Sequence, residues 1–395
     1  MRIAIVSPFP VSEVADLLGE ESQTFISNFA NDRGISIASY VRGLLDLGHE
    51  ITVITSDLNL EVNLMVLSGN NLKIYIVPKR EITRARVLDL YRKERSAICE
   101  LIESLDLDIV HAHWTYEYAY AALQSKKPLL ITAHDAPLTI FRYLHNIFWI
   151  FHVFLAFAVR VKAQDIAFVS PSLMNQWRTQ MFWKGNSYVT PNISKLLRAK
   201  AILKLDSERC LAISDVGSYK NIKKLLEAWL LVLDSNKNAH LELIGYGLGI
   251  DGELFEWARR KGFNQNINWN GFLPRAAIDK YLLEADILIT PSLSESFGLT
   301  AMEAMSAGIP VVGGINSGGI PYVVGNGGLL VDVRSSKEIA EAIVTLLNSP
   351  KLRLELGNNG IARVQEVFSS EVVSSQLVDI YEHIIRSYGE AQIKY

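Results

Sequence analysis

The chain has little cysteine. Cys99 and Cys210 stand far apart in 395 residues, without metal-ligand spacing, and a reducing compartment is the simplest setting for them. It also lacks an excess of charge: 39 Lys and Arg against 42 Asp and Glu leave a net charge of -3, which gives no electrostatic footprint for nucleic acid. No stretch reaches the roughly 20 apolar residues needed to span a bilayer. The opening "MRIAIVSPFP" is a short strand followed by prolines, without the apolar run of a signal peptide, so a cytoplasmic protein is expected. Low-complexity tracts and short repeats are absent. What remains, 49% hydrophobic and 21% charged residues, is a folded chain long enough for two or three domains.

Short apolar runs alternate with helical patterns almost throughout. "RIAIVS", "EITVITS", "LKIYIV", "DIVHAH" and "LLITAHD" are continuous and rich in β-branched residues, as buried parallel strands are. Helical periodicity lies between them at 35–48, stopped by Gly48, and at 87–105. A second series follows: "CLAISDVG", "HLELIGYG", "INWNGF", "ADILITPS", "IPVVGG" and "GGLLVDV", with helices predicted at 220–233, 251–261, 275–284 and 298–307. The reading is α/β, two Rossmann-like domains at 1–193 and 194–370 with a hinge within 189–208. An amphipathic helix at 371–395 is expected to pack back on the first domain. Two facing domains of this kind place a cleft at the carboxyl ends of both sheets, where ligands of such sheets bind.

Residues 291–313, "PSLSESFGLTAMEAMSAGIPVVG", hold the most informative contradiction. The segment 298–307 is apolar nearly all round and predicts a buried helix, yet it carries Glu303. A buried carboxylate costs several kcal/mol unless it is paired or hydrogen-bonded. Paired hydroxyls of a sugar or ribose supply such donors. Glu295 stands in the preceding loop, and between the two acids the first amides of the helix have no internal partner. Gly298 removes side-chain bulk there, and a diphosphate suits such a helix mouth. The same spacing equally admits a structural arginine for Glu303 and plain solvation for Glu295. Either acid locked onto an internal cation, or turned away from the interdomain gap, overturns the idea that an incoming carbohydrate is what satisfies them.

The stretch resembles the signature of retaining GT-B glycosyltransferases of family four, also called group 1. Their pattern of two glutamates separated by seven residues, with Phe-Gly-Leu after the first, stands here as "ESFGLTAME" from Glu295 to Glu303, followed by "AMSAGIPVV". The resemblance extends over essentially the whole chain, through "DRGISIASYVRGLLDLGHEITVIT", "DIVHAHW", "LLITAHD", "VSPSL", "TPN", "GYGLG", "NWNGFLP" and "ADILITPS" in order. It implies that Glu303 binds the ribose hydroxyls of a nucleoside diphosphate sugar and that Glu295 contacts hydroxyls of the transferred sugar. The amides of Phe297, Gly298 and Leu299 would hold sugar and diphosphate, with Lys220 of "GSYKN" against the diphosphate. His134 of "TAHD" would face donor sugar and acceptor, with His113 and Asp135 as weaker candidates. Gly34 stands for the first glycine loop, and Gly245 and Gly247 would make room for the nucleotide.

This sequence departs from the family in four places. An arginine expected about five residues before the lysine falls near Asp215, with no basic residue in its stead. The first loop has a lone Gly34 beside Arg33. Tyr322 replaces the glutamate of "GGxPE", and "PNIS" replaces "PNGVD".

Other trails end early. His111 and His113 flank Ala112 on one strand and share a face, but no cysteine or carboxylate cluster has metal-ligand spacing with them, and no metal is assigned. "GYGLGIDG" at 245–252 suggests a dinucleotide fingerprint, but the next strand ends in Asn270 and Gly271 and offers no acid for a ribose. "DLD" at 106–108 merely precedes a strand.

The expected activity is retaining, metal-independent transfer of a sugar from a nucleotide sugar to a hydroxyl of a glycan or lipid-linked acceptor. No bound cofactor is expected. A sugar-nucleotide 2-epimerase and a non-catalytic glycan-binding relative are the alternatives. The run 141–162, "FRYLHNIFWIFHVFLAFAVRVK", is apolar and aromatic with basic ends, and 78–95 is locally basic. Two readings stand for this region: a peripheral contact with anionic lipid, or a buried helix beside a solvated basic face.

Overall fold

The computed structural model describes residues 1–26, 29, 34–58, 60, 62–144, 148–193, 197 and 208–393. Two compact units divide the chain: 1–193 with 370–395, and 194–369. Arg33 and most of the expected hinge lie outside the described residues.

The first unit is built on eight strands: β1 (Arg2–Val6), β2 (Glu50–Asp57), β3 (Met65–Gly69), β4 (Leu72–Pro78), β5 (Ile109–His113), β6 (Leu129–Ala133), β7 (Asp165–Phe168) and β8 (Asn186–Val189). Their order is β3-β4-β2-β1-β5-β6-β7-β8, parallel except for the β3–β4 pair. The continuous apolar strands β1, β5, β6 and β7 are covered on both faces, which is why they lack alternation. Helix Ile35–Asp46 packs on the C-terminal helix Ser370–Ile393, whose Val373, Leu377 and Tyr381 enter the core around Ile3, Ile5, Val41 and Leu44.

The second unit carries β9 (Arg209–Ile213), β10 (His240–Ile244), β11 (Ile267–Gly271), β12 (Ile287–Thr290), β13 (Val311–Gly314) and β14 (Gly328–Val331). All pairs are parallel, in the order β11-β10-β9-β12-β13-β14. The connections reverse direction between β9 and β12. Loops leaving two such strands diverge and open a crevice at their carboxyl ends. Trp229, Leu225 and Leu226 of helix Ile222–Ser235 fill the core with Leu241, Leu243, Ile343 and Leu346.

The continuous helix predicted at 87–105 is two helices, Thr83–Leu88 and Arg92–Ser104. Leu90 and Tyr91 between them have φ of +54° and +59°. Burial of the Tyr91 ring, 7% exposed, holds the chain in this left-handed break. Over the apolar run 141–162 the described helices are Pro137–Leu144 and Trp149–Lys162, and 145–147 lie outside the described residues. Among the described residues no helix is long and apolar enough to cross a membrane.

Candidate functional site

In the second unit the site grows from the loops after β9 and β12. The short turn Ser218–Lys220 follows β9, and the Tyr219 carbonyl accepts from the Leu293 amide at 2.7 Å, tying this turn to the loop that carries Glu295. The Asn221 side-chain amide donates to the carbonyls of Pro291 and Val333 at 3.1 and 2.7 Å. So fixed, Lys220 Nζ lies 2.7 Å from Glu295 Oε1, with about a fifth of each side chain exposed. Burial is the largest single influence and lowers the Lys220 pKa, but the Glu295 carboxylate, with Tyr219 and Asp215, outweighs it and the net shift is upward. The ammonium is therefore held charged at the crevice between the two strands.

Glu295 is also pinned by its backbone. Its carbonyl accepts from the Gly319 amide at 2.7 Å. Three residues on, Gly298 adopts φ +115° and ends the loop; a Cβ there would lie 2.6 Å from Ile320 Cδ1. Helix Leu299–Ser306 starts at once. The Phe297 ring is buried between Tyr322 and Phe368. The first-turn amides at Leu299 and beyond have no carbonyl four residues back inside the helix.

Glu303 is 4% exposed, as its apolar helix predicts. Arg275, at the start of helix Arg275–Glu284, grips it with a guanidinium fork: Nη1 to Oε2 at 3.0 Å and Nη2 to Oε1 at 2.8 Å. Arg275 Nε also lies 3.0 Å from Asp279 Oδ1. Both acids of the 291–313 stretch are thus paired with cations in the free protein. The expectation that an incoming carbohydrate alone reconciles them with an oily segment does not hold here. The physical reason is the cost of a bare buried carboxylate, which the fold meets with its own arginine.

The two glycines of the β10 loop differ. A Cβ on Gly245, at φ +140°, would lie 1.6 Å from the Ser214 carbonyl oxygen. Close packing of the loops after β9 and β10 requires a glycine there. Gly247 lines an open cavity of about 700 Å³ with Val216, Lys223 and Trp257. Asp215, where the resemblance expects an arginine, accepts from the Gly217 amide at 2.7 Å and shapes its own loop.

Two features went unread in the sequence. Arg275 is one. The other is Tyr246 against Phe272, at the carboxyl ends of β10 and β11, stacked at 4.3 Å though 64% and 53% exposed. Aromatics adjoining Gly245 and Gly271 at strand ends were the available signal.

In the first unit, Gly34 precedes helix Ile35–Asp46 with φ +89°. His111 and His113 share a face of β5 with ring centroids 4.1 Å apart. His113 Nδ1 lies 3.0 Å from His134 Nε2, while His111 is held by Tyr381 Oη at 2.6 Å and Thr132 Oγ1 at 2.7 Å. Burial pushes the pKa of His111 and His134 down to about 3 and holds that of His113 well below its ordinary value, so all three are neutral. Asp135 accepts from Tyr116 Oη at 2.6 Å, and burial raises its carboxyl to about 6. Among the described residues no three His, Cys, Asp or Glu side chains form a group that holds a metal ion.

Comparisons with known proteins agree with this architecture. The family model described as glycosyl transferases group 1 matches residues 194–363, and that of glycosyltransferase family 4 matches 34–193. The N-acetyl-alpha-D-glucosaminyl L-malate synthase of Bacillus anthracis is 24% identical over 382 residues, 89% of this chain and 93% of that protein. The D-inositol 3-phosphate glycosyltransferase of Segniliparus rotundus is 32% identical over 203 residues, 50% of this chain but only 45% of that protein. Among solved structures, sucrose-phosphate synthase from Thermosynechococcus elongatus superposes with a TM-score of 0.77 at 18% identity, over 98% of this chain and 100% of that one. Anabaena HepE in complex with UDP and glucose superposes with a TM-score of 0.67 at 16% identity, over 97% and 100%. The fold is GT-B, and the chain belongs to the group 1, family 4 glycosyltransferases.

Proposed function

We propose that this enzyme transfers a sugar from a nucleoside diphosphate sugar to an acceptor hydroxyl, with retention at the anomeric carbon and without a metal ion. The observation that carries the reading is the Lys220–Glu295 ion pair, which bridges the loops of the two strands where the sheet reverses. Lys220 supplies positive charge to the departing diphosphate, and the Leu299–Ser306 helix mouth adds its amides. Glu295 keeps Lys220 charged and takes hydroxyls of the transferred sugar. Glu303, oriented by Arg275, takes the ribose. The anomeric carbon–phosphate oxygen bond breaks, the acceptor oxygen bonds to the same face, and its proton passes to the departing β-phosphate. His134, neutral and beside His113, hydrogen-bonds donor sugar and acceptor in the first unit.

A peripheral membrane position and a lipid-linked acceptor suit the surface of helix Trp149–Lys162. Ile150, Phe154 and Val161 are 37%, 61% and 71% exposed along one helical face, Arg160 and Lys162 stand in its last turn, and Arg142 is on the preceding helix. A non-catalytic relative is the second reading, favoured by Asp215 standing where the family carries a cation. Incubation of the full chain with a panel of nucleotide sugars and acceptors, with and without chelator, tests the proposal. Transfer product of unchanged anomeric configuration, insensitive to chelator, is expected. An inverted product, an epimerised nucleotide sugar or loss of transfer on chelation rejects the corresponding part.

A further inference from the structure

The second unit has an open cavity that lies apart from the Lys220, Glu295 and Glu303 chemistry. Its volume is about 700 Å³, within the range of small-molecule sites. The loop after β9 gives it Val216, and the loop after β10 gives it Gly247, Asp251 and Gly252. Lys223 of helix Ile222–Ser235 and Trp257 of helix Glu253–Lys261 line it as well, with Lys223 Nζ 5.0 Å from the centre of the indole ring. Its mouth is tightly built. A Cβ on Gly247, at φ +75°, would lie 2.8 Å from Val216 Cγ2. Leu248, fully buried, anchors the same loop, and its carbonyl accepts from the Gly271 amide at 3.1 Å. The glycines of "GYGLGIDG" thus shape the rim of this cavity. One loop serves two places: Val216 lines the cavity, and Lys220 further along holds Glu295.

The lining selects a class of ligand. Asp251, Glu253 and Glu256 stand exposed against Lys223 and Arg260, so neither sign of charge dominates. The amino end of helix Glu253–Lys261 borders the cavity, but Glu253 and Glu256 in its first turn already answer the positive end of the helix. A phosphate or carboxylate is disfavoured there, and a cation would meet Lys223 on the tryptophan. Apolar surface adjoins these polar groups. Val216 is 48% exposed, Ile250, next to Asp251 in the chain, is 69% exposed, and Tyr246, next to Gly247, stacks on Phe272 in the open. Exposed apolar surface costs free energy in water that a covering ligand removes. A sugar chain has the matching chemistry: its hydroxyls donate to carboxylates and accept from Lys and Arg, and its C–H faces cover apolar and aromatic side chains.

We propose that this cavity is a non-catalytic subsite for an uncharged oligosaccharide, which it holds at a distance from the reacting sugar. That the bound glycan belongs to the acceptor rests on the glycosyltransfer reading above. Glycan binding itself is measured without donor or turnover, so the two fail separately.

The test exposes the fluorescently labelled full chain to a broad array of immobilised oligosaccharides, uncharged and charged, in wild type, Trp257→Ala, Asp251→Ala and Lys220→Ala. Calorimetry with the best-bound uncharged oligosaccharide follows. Wild type and Lys220→Ala should bind it alike, with affinity lowered at least about tenfold in Trp257→Ala and several-fold in Asp251→Ala. Asp251 is exposed at the rim, so its variant is read alone if Trp257→Ala does not fold. Binding to no uncharged oligosaccharide, affinity unchanged in the cavity variants, or binding lost in Lys220→Ala overturns the proposal. Excess UDP, GDP or ADP should leave the glycan bound. Displacement by any of them would place the cavity within the nucleotide seat and overturn the proposal as well.

Discussion

Lys220 and Glu295 stand 75 residues apart in sequence and 2.7 Å apart in space, because β9 and β12 are neighbours at the reversal of the second sheet. Neither residue keeps its environment without the other. Lys220→Ala and Glu295→Gln should each lower kcat about 100-fold to 1000-fold, the range found on removing one preorganised charge-stabilising group. The double variant should lose little more than the worse single, since the two act as a unit. Additive losses in the cycle would mean that Glu295 does not serve through Lys220.

The Arg275–Glu303 fork separates a structural role from a binding one. Arg275→Met leaves a 4% exposed carboxylate without its counter-charge and should cost about 3 kcal/mol of second-unit stability. Adding Glu303→Gln to it should restore most of that loss. Should Glu303 also read ribose hydroxyls, Glu303→Gln alone weakens nucleotide affinity, measured by calorimetry, about tenfold or more. A nucleotide affinity unchanged in Glu303→Gln, with stability altered, would leave Glu303 as a purely internal partner of Arg275.

Much of this molecule was legible because buried parallel strands announce themselves. "CLAIS" and "DILIT" are apolar nearly throughout, while "HLELI" and "INWNG" keep polar positions at His240, Glu242, Asn268 and Asn270, and all six strands of the second unit lie at runs read from the sequence. Strand β3 was missed for the opposite reason: it is an antiparallel edge strand with Val66 and Ser68 exposed, so its apolar signal is thin. The break at Leu90 and Tyr91 was illegible because neither residue favours positive φ; packing of the Tyr91 ring imposes it. At the site, Glu295, Glu303 and Gly298 were read from one contiguous stretch. Arg275 was not, because an arginine at the start of "RAAIDKYLLE" looks like any solvated helix end, and only the fold brings it 28 residues forward to Glu303.

The histidines set the acid limit of the first unit. His111 and His134 titrate near 6.5 when unfolded but at about 3 when folded. Between those values the unfolded chain binds protons that the folded one does not, so stability falls as pH falls from about 6.5, by about 1.4 kcal/mol per pH unit for each. His113, shifted the same way, adds to the loss. Asp135 works in the other direction: its folded value of about 6 exceeds 3.8, so it favours the folded state as pH drops through that window and offsets one histidine. Urea unfolding of wild type should therefore show a marked fall in midpoint from pH 7 to pH 5. His111→Gln should flatten the slope, even if it costs stability at pH 7. A midpoint that rises on acidification would contradict this balance.

The exposed face of helix Trp149–Lys162 makes the membrane reading measurable. Val153, Leu155, Ala156 and Val159 bury the inner face, while Ile150, Phe154 and Val161 expose apolar surface to water. Insertion of such side chains below the headgroups returns that cost, about 1.5–3 kcal/mol for a fully buried phenylalanine. Arg160 and Lys162 in its last turn add attraction to anionic lipid that salt screens. The full chain should float with phosphatidylglycerol vesicles, less so at high salt. Phe154→Glu should reduce the floated fraction about tenfold without lowering the melting temperature, because 61% of this residue is already in water. Wild-type protein left wholly at the bottom of the gradient would assign these side chains to another partner, and the lipid-linked acceptor would lose its support.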